Sequence, residues 1–117
     1  AADFQFYKND NSLYQEVISK ALQWQNSDNL MFVIGATQPE YFETIRELAP
    51  HIFFLVPGIG AQGGNLDAVC RYGMNKDVGL IINSSRGIIY ASQQDDFAIA
   101  SRNAAQEMQQ KMAGYLN

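Results

Sequence analysis

Histidine and cysteine each occur once in the 117 residues, as His51 and Cys70, and that scarcity removes several chemistries at once. A single thiol cannot close an internal disulfide, and without a second Cys or His there is no ligand set of the zinc type. Cys70 falls in LDAVCRYG, where the expected role is a small apolar core residue, and His51 in APHIFF is expected at a surface or a helix–strand boundary. Basic charge is scarce as well. Eight Lys and Arg stand against twelve Asp and Glu, for a net charge of −4, so no cationic stripe is present to meet a phosphate backbone and nucleic acid is not an expected partner. No apolar run reaches the roughly 20 residues that cross a bilayer, and AADFQFYKND at the N-terminus has neither the basic nor the apolar region of a signal peptide. The expectation is a soluble, cytoplasmic chain without membrane attachment or a metal site.

What remains is ordinary globular material. With 47% hydrophobic and 17% charged residues, residues 1–117 form one segment large enough for a modest core. In SLYQEVISKALQWQ, Leu13, Val17, Ile18, Ala21 and Leu22 recur at helical spacing, and Ser12 with Gln15 resembles a capping box, predicting a helix over 12–26. LMFVIGA at 30–36 is a short continuous apolar run and predicts a strand buried on both faces. TQPEYFETIRELAP predicts a helix capped at Thr37 or Gln38, with Pro39 in its first turn, Phe42, Ile45 and Ala49 on one face, and Pro50 closing it. The cycle repeats with strand HIFFLV, helix NLDAVCRYG, strand VGLIIN at 78–83, and a last helix over about 95–113. That helix carries Phe97, Ala100, Ala104, Met108 and Met112 at core spacing, with Asp95 and Asp96 at its positive end. Alternation of this kind implies an α/β fold with parallel strands. Three strands alone leave both sheet edges bare, so the pattern reads as part of a larger fold.

The densest chemistry lies in FFLVPGIGAQGGNLDAV. Gly58, Gly60 and Gly63 match G-x-G-x-x-G between a strand and a helix, the place of a dinucleotide turn. A dinucleotide site also calls for an acidic residue about 20 positions on, at the next strand end. There the sequence has NSSR, and Pro57 removes a donor at the mouth of the loop. A cradle for one phosphate asks for two neighbouring strand ends that each offer donors. Gly58, Gly60, Gln62, Gly63 and Gly64 follow one strand, and Ser84, Ser85, Arg86 and Gly87 follow the next. In parallel α/β architecture both ends face the same side, so Gln62 and Arg86 can converge on one dianion. In an eight-stranded barrel the loops after the last two strands commonly hold phosphate.

VPGIGAQGG followed by LIINSSRGIIYAS, with MFVIGAT and the initial AADFQ, resembles the C-terminal part of the orotidine 5'-monophosphate decarboxylase family, particularly its bacterial branch. The resemblance covers nearly the whole chain. It implies the C-terminal portion of a (β/α)8 TIM barrel, a lyase of UMP biosynthesis that converts orotidine monophosphate to uridine monophosphate and carbon dioxide without cofactor, and a parent that is usually a homodimer. Carried over by position, Gln62 resembles the glutamine that bridges phosphate and pyrimidine, and Arg86 the phosphate-binding arginine. Ser85 and Arg86 contribute backbone N–H groups, Gly63 and Gly87 lie beside them in the two loops, and Pro57 and Ile59 resemble the apolar wall beside the ring.

The family's Asp-x-Lys array is missing: no D-x-K occurs anywhere in the chain, and Lys8, Lys20, Lys76 and Lys111 fall in places that suit no proton donor. The serine that reads the pyrimidine edge belongs just before Ala1. A barrel of this type needs roughly 250 residues, so the expectation is a C-terminal fragment with the phosphate grip and no catalytic residue, inactive alone. Three further readings stay open: a related barrel acting on another sugar phosphate, a noncatalytic module that self-associates or pairs with the missing N-terminal part, and a dinucleotide domain in which Arg86 meets a ribose phosphate.

Overall fold

The computed structural model describes residues 12–60 and 64–116. The order of elements is α1 (Leu13–Leu22), β1 (Phe32–Val33), α2 (Tyr41–Leu48), β2 (Phe54–Val56), α3 (Leu66–Gly73), β3 (Leu80–Ile82), α4 (Ser85–Ile89) and α5 (Phe97–Ala113). The three strands are parallel in the order β1-β2-β3. The predicted α/β alternation is therefore present, with shorter strands and one helix, α4, that the pattern did not suggest.

Local chemistry sets most boundaries. Helix α1 stops at Leu22 and not at 26, because Asn26 takes a left-handed φ of 69° and a 3-10 turn over Ser27–Asn29 leads to β1. Ser12 does occupy the N-cap, yet its side chain makes no capping hydrogen bond. Helix α2 begins at Tyr41, later than predicted, since Tyr41 N and Phe42 N donate to Gln38 O and Pro39 O in tight i→i−3 turns. Thr37 and Gln38 thus precede the cap, and Pro39 lies outside the first turn. Asn65 caps α3 by accepting from Ala68 N at 3.1 Å, the satisfied-donor arrangement that favours Asn there.

The register decides what each face carries. Phe32 pairs with Phe54 and Phe54 with Leu80, Val33 with Leu55 and Leu55 with Ile81. Because successive side chains point to opposite faces, the Phe32–Phe54–Leu80 row lies under the helices. Phe54 is 0% exposed and meets Phe42 of α2 edge-on, with ring centroids 6.3 Å apart. The Val33–Leu55–Ile81 row faces the other way, and Val33 and Ile81 stay 67% and 45% exposed. The expectation that the first strand is buried on both faces is overturned, since among the described residues only one face of the sheet has a helical layer. Phe97 departs as well: it is 59% exposed, whereas Met108 and Met112 pack against the core as expected.

One polar side chain crosses this architecture. Arg46, in the last turn of α2, donates to Gly73 O (2.7 Å), Ala49 O (3.0 Å), Ile52 O (2.7 Å) and Gly79 O (3.0 Å). Its guanidinium carbon sits 3.9 Å from the centre of the Phe54 ring. Burial pulls the group down to about 10, which leaves it charged at neutral pH, and the carbonyls and ring replace the water it loses.

Cys70 is 2% exposed in the core and His51 is exposed, as expected. Burial, with the Asp67 carboxylate adding to it, raises the Cys70 thiol from 9.0 to about 11. The folded chain therefore holds this proton more tightly than the unfolded one. The resulting stabilisation is fully present below pH 9 and is lost as pH rises toward 11. Urea titrations across that window should show the wild type losing on the order of 2 kcal/mol more than Cys70→Ala; parallel pH profiles for the two proteins would contradict a buried, protonated thiol.

Candidate functional site at the carboxyl ends of the strands

The ladder continues past the strand ends and brings three connections side by side. Ile34 N donates to Leu55 O at 2.9 Å, Ala36 N to Pro57 O at 3.1 Å and Asn83 N to Val56 O at 3.0 Å. The segment after β2 is thereby flanked by the segments after β1 and β3. By the alternation of the strands, Gly35, Pro57 and Asn83 continue the rows of Val33, Leu55 and Ile81.

After β2 the chain turns on glycine. Gly58 and Gly60 have φ of 92° and 79°, a region open to glycine at little cost. Gly60 N donates to Gly64 O at 3.1 Å and Gly64 N to Gly58 O at 2.9 Å, closing the turn on itself. Gly64 is fixed by space rather than by φ, since a Cβ there would run into Gly58 O and come within 2.6 Å of Ala36 Cβ. Ile59 is 8% exposed and belongs to the core cluster, and Pro57 is half-buried. Gln62 and Gly63, the central expectations for this loop, lie outside the described residues.

After β3 comes Ser84, buried, and then the single short helix α4. Ser85, Arg86 and Gly87 form its exposed first turn, where backbone N–H groups have no partner earlier in the helix. A Cβ at Gly87 would meet Ser84 Oγ at 2.6 Å. Ser101 Oγ of α5 donates to Ile88 O at 2.6 Å and ties the far end of α4 down. Among the described residues the Arg86 guanidinium has no hydrogen bond or ion pair to another side chain. Of the seven predicted site residues, the structure thus gathers five, Pro57, Ile59, Ser85, Arg86 and Gly87, on two adjacent strand-end loops.

Two apolar cavities lie elsewhere. One, about 480 Å³, is bounded by α1, β1 and α2, with Tyr14, Ile18, Phe32 and Tyr41 in its wall, and the other, about 370 Å³, lies between β3 and α5 beside Met74, Met108 and Met112. Neither includes Pro57, Ser85, Arg86 or Gly87. No group of three or more His, Cys, Asp or Glu among the described residues is arranged to hold a metal ion, and no helix among them is long and apolar enough to cross a membrane.

Parallel β/α units with loops gathered at the carboxyl ends of adjacent strands define the α/β class whose ligand sites lie at that end of the sheet. Comparison with known proteins narrows this class. Orotidine 5'-phosphate decarboxylase from Christiangramia forsetii is 55% identical over 117 residues, covering 99% of this chain and 43% of that protein. The enzyme of the same name from Bacteroides fragilis is 52% identical, with 97% and 42% covered. Among solved structures, Leishmania donovani UMP synthase superposes with a TM-score of 0.77 at 36% identity over 94% of this chain and 25% of its own. Leishmania donovani OMP decarboxylase gives 0.76 at 32% over 95% and 43%. No protein-family model matches the chain. In sequence and fold the chain corresponds to a C-terminal part of the orotidine 5'-phosphate decarboxylases, and it spans less than half the length of the curated relatives it matches.

The glycine turn can be tested without a ligand. Gly64→Ala should destabilise the fold by about 1–3 kcal/mol, the cost of forcing a methyl into a packed contact. An unchanged urea midpoint would show that the turn yields freely at Gly64.

Proposed function

We propose that the chain is the phosphate-gripping part of an orotidine 5'-phosphate decarboxylase, a carboxy-lyase that turns orotidine monophosphate into uridine monophosphate and carbon dioxide in pyrimidine biosynthesis. The observation that carries this reading is the hydrogen bond from Asn83 N to Val56 O at 3.0 Å. It sets the loop bearing Arg86, exposed and without a side-chain partner among the described residues, directly beside the glycine turn. Arg86 is the charge-assisted partner of the phosphate dianion, with Ser85 and Gly87 offering backbone donors. The family resemblance assigns Gln62 and Gly63 to the same cradle, Gln62 as the bridge between phosphate and pyrimidine. Pro57 and Ile59 form the apolar wall beside the ring, Pro57 by direct contact and Ile59 from within the core.

Decarboxylation breaks the bond from a ring carbon to its carboxylate, leaves the electron pair on that carbon, and then needs a proton. Holding the phosphate supplies binding energy at a distance, which keeps the ring oriented and water out while charge develops. The proton is another segment's task. Lys20 lies on α1, Lys76 sits 3.7 Å from Asp77 in an exposed turn, and Lys111 lies on α5; Lys8 is outside the described residues. None of the three described lysines stands at the strand-end loops, and in this reading the segment binds while turnover belongs to another part of the enzyme. The working location is the cytoplasm, and no metal or cofactor is required.

A second reading concerns assembly. The exposed Val33–Leu55–Ile81 row and the outer edges of β1 and β3 favour association, either with the remainder of a barrel or with a second copy, and the whole enzyme is a homodimer. A well-behaved monomer in light scattering would remove the second-copy alternative.

Uridine monophosphate is the probe for the phosphate grip. Arg86→Ala should weaken its binding by about 1.5–3 kcal/mol, the worth of a hydrogen bond to a charged group, while the thermal midpoint stays put because the side chain is exposed. Equal affinity in the two proteins would take Arg86 out of the site, and decarboxylation by the pure chain would defeat the division of labour.

A further inference from the structure

The end of the sheet opposite the glycine turn is held by Arg46. Its Nη2 donates to Gly79 O at 3.0 Å, the same carbonyl that accepts Phe54 N at 2.9 Å as the first rung between β2 and β3. Nη1 reaches Ile52 O, just before β2, at 2.7 Å. The approach requires glycine, because a Cβ at position 79 would lie 2.7 Å from Nη2.

Burial alone discriminates poorly among registers of these strands. A slip of one residue turns every side chain to the wrong face and is excluded by the core. A slip of two keeps the faces and exchanges one aliphatic residue for another, since Leu80 and Ile82 share a face by period and Val78 packs against the same core. It would nonetheless displace the loop after β3 by about 6.6 Å relative to the glycine turn, at roughly 3.3 Å per residue. Arg46 opposes that slip because its donors match carbonyls in one register only. The connection before β3 acts with it: Asn75 Nδ2 donates to Pro50 O at 3.0 Å, and Val78 and Gly79 have φ of 75° and 69° in succession. Positive φ at a β-branched residue persists only where the surroundings impose it.

We propose that Arg46 is a positioning residue: by latching the amino-terminal ends of β2 and β3 it fixes the stagger at which their carboxyl-end loops face a shared anion. The identity of that anion rests on the nucleotide reading above; the latch itself does not.

Two readouts on the 117-residue chain test this, backbone amide resonances and titration with uridine monophosphate, each at a temperature where the protein is folded. In Arg46→Met and Arg46→Lys, the amides of Gly58, Gly64, Ser85, Arg86 and Gly87 should move, although none of them touches residue 46. Affinity for the nucleotide should fall about tenfold, as expected for a displaced binding group. Changes confined to Ala49, Ile52, Gly73 and Gly79, with the strand-end amides unmoved, would reduce Arg46 to a local structural contact and overturn the proposal. If Arg46→Met does not fold, Arg46→Lys, which keeps the charge and loses the fork, decides on the same amides. If the wild type fails to bind the nucleotide, the phosphate reading falls while the amides still judge Arg46.

Discussion

The carbonyl of Gly79 accepts from Phe54 N and from the Arg46 guanidinium at once, and the arrangement of the sheet depends on that junction. Through it the C-terminal turn of α2, the start of β2 and the start of β3 become one unit. The charge is sheltered by the face of Phe54, itself fully buried in the core. Four carbonyls around the amino-terminal ends of these strands, those of Ala49, Ile52, Gly73 and Gly79, accept from this one side chain. What the opposite end can do is set by this junction, because parallel strands carry their stagger unchanged from one end to the other.

The parts of the fold that were legible in the sequence are those whose signals are local. Helix α3 is the clearest case: Asn65 supplies a capping oxygen, and Val69, Cys70 and Gly73 follow at the spacing of one buried face. Strand positions were legible from apolar runs, but their lengths were not, because a run such as LMFVIGA says nothing about where a partner strand stops pairing. The same run suggested burial on both faces, whereas burial depends on a second covering layer that no local pattern encodes. Helix α4 escaped notice because SRGII is too short for helical periodicity and contains glycine. Arg46 was invisible for another reason. Its acceptors lie as far along the chain as Gly79, 33 residues away, and nothing in ETIRELAP distinguishes it from a solvated arginine near a helix end.

At the candidate site, residue types were legible and their separate duties were not. A glycine-rich loop opposite an NSSRG loop already suggested an anion cradle. Only the coordinates divide the glycines: Gly58 and Gly60 supply backbone freedom, Gly64 supplies clearance for Ala36 and Gly58, and Gly35 has open space around it. Ile59, expected in the apolar wall beside the ring, packs within the core. It can shape the loop from beneath while Pro57 lies nearer its rim.

The uncovered Val33–Leu55–Ile81 row has a consequence for how the chain behaves in different solvents. Salts excluded from protein surfaces, sulfate among them, favour every form of apolar burial without regard to whether it lies inside one molecule or between two. A condition that tightens the core therefore also drives the bare sheet face toward any similar surface. A net charge of −4 offers modest repulsion against this, and its reach shrinks to about 8 Å at physiological ionic strength. Folding strength and colloidal stability are thus opposed in this chain, and the balance between them is set by the ions in the buffer.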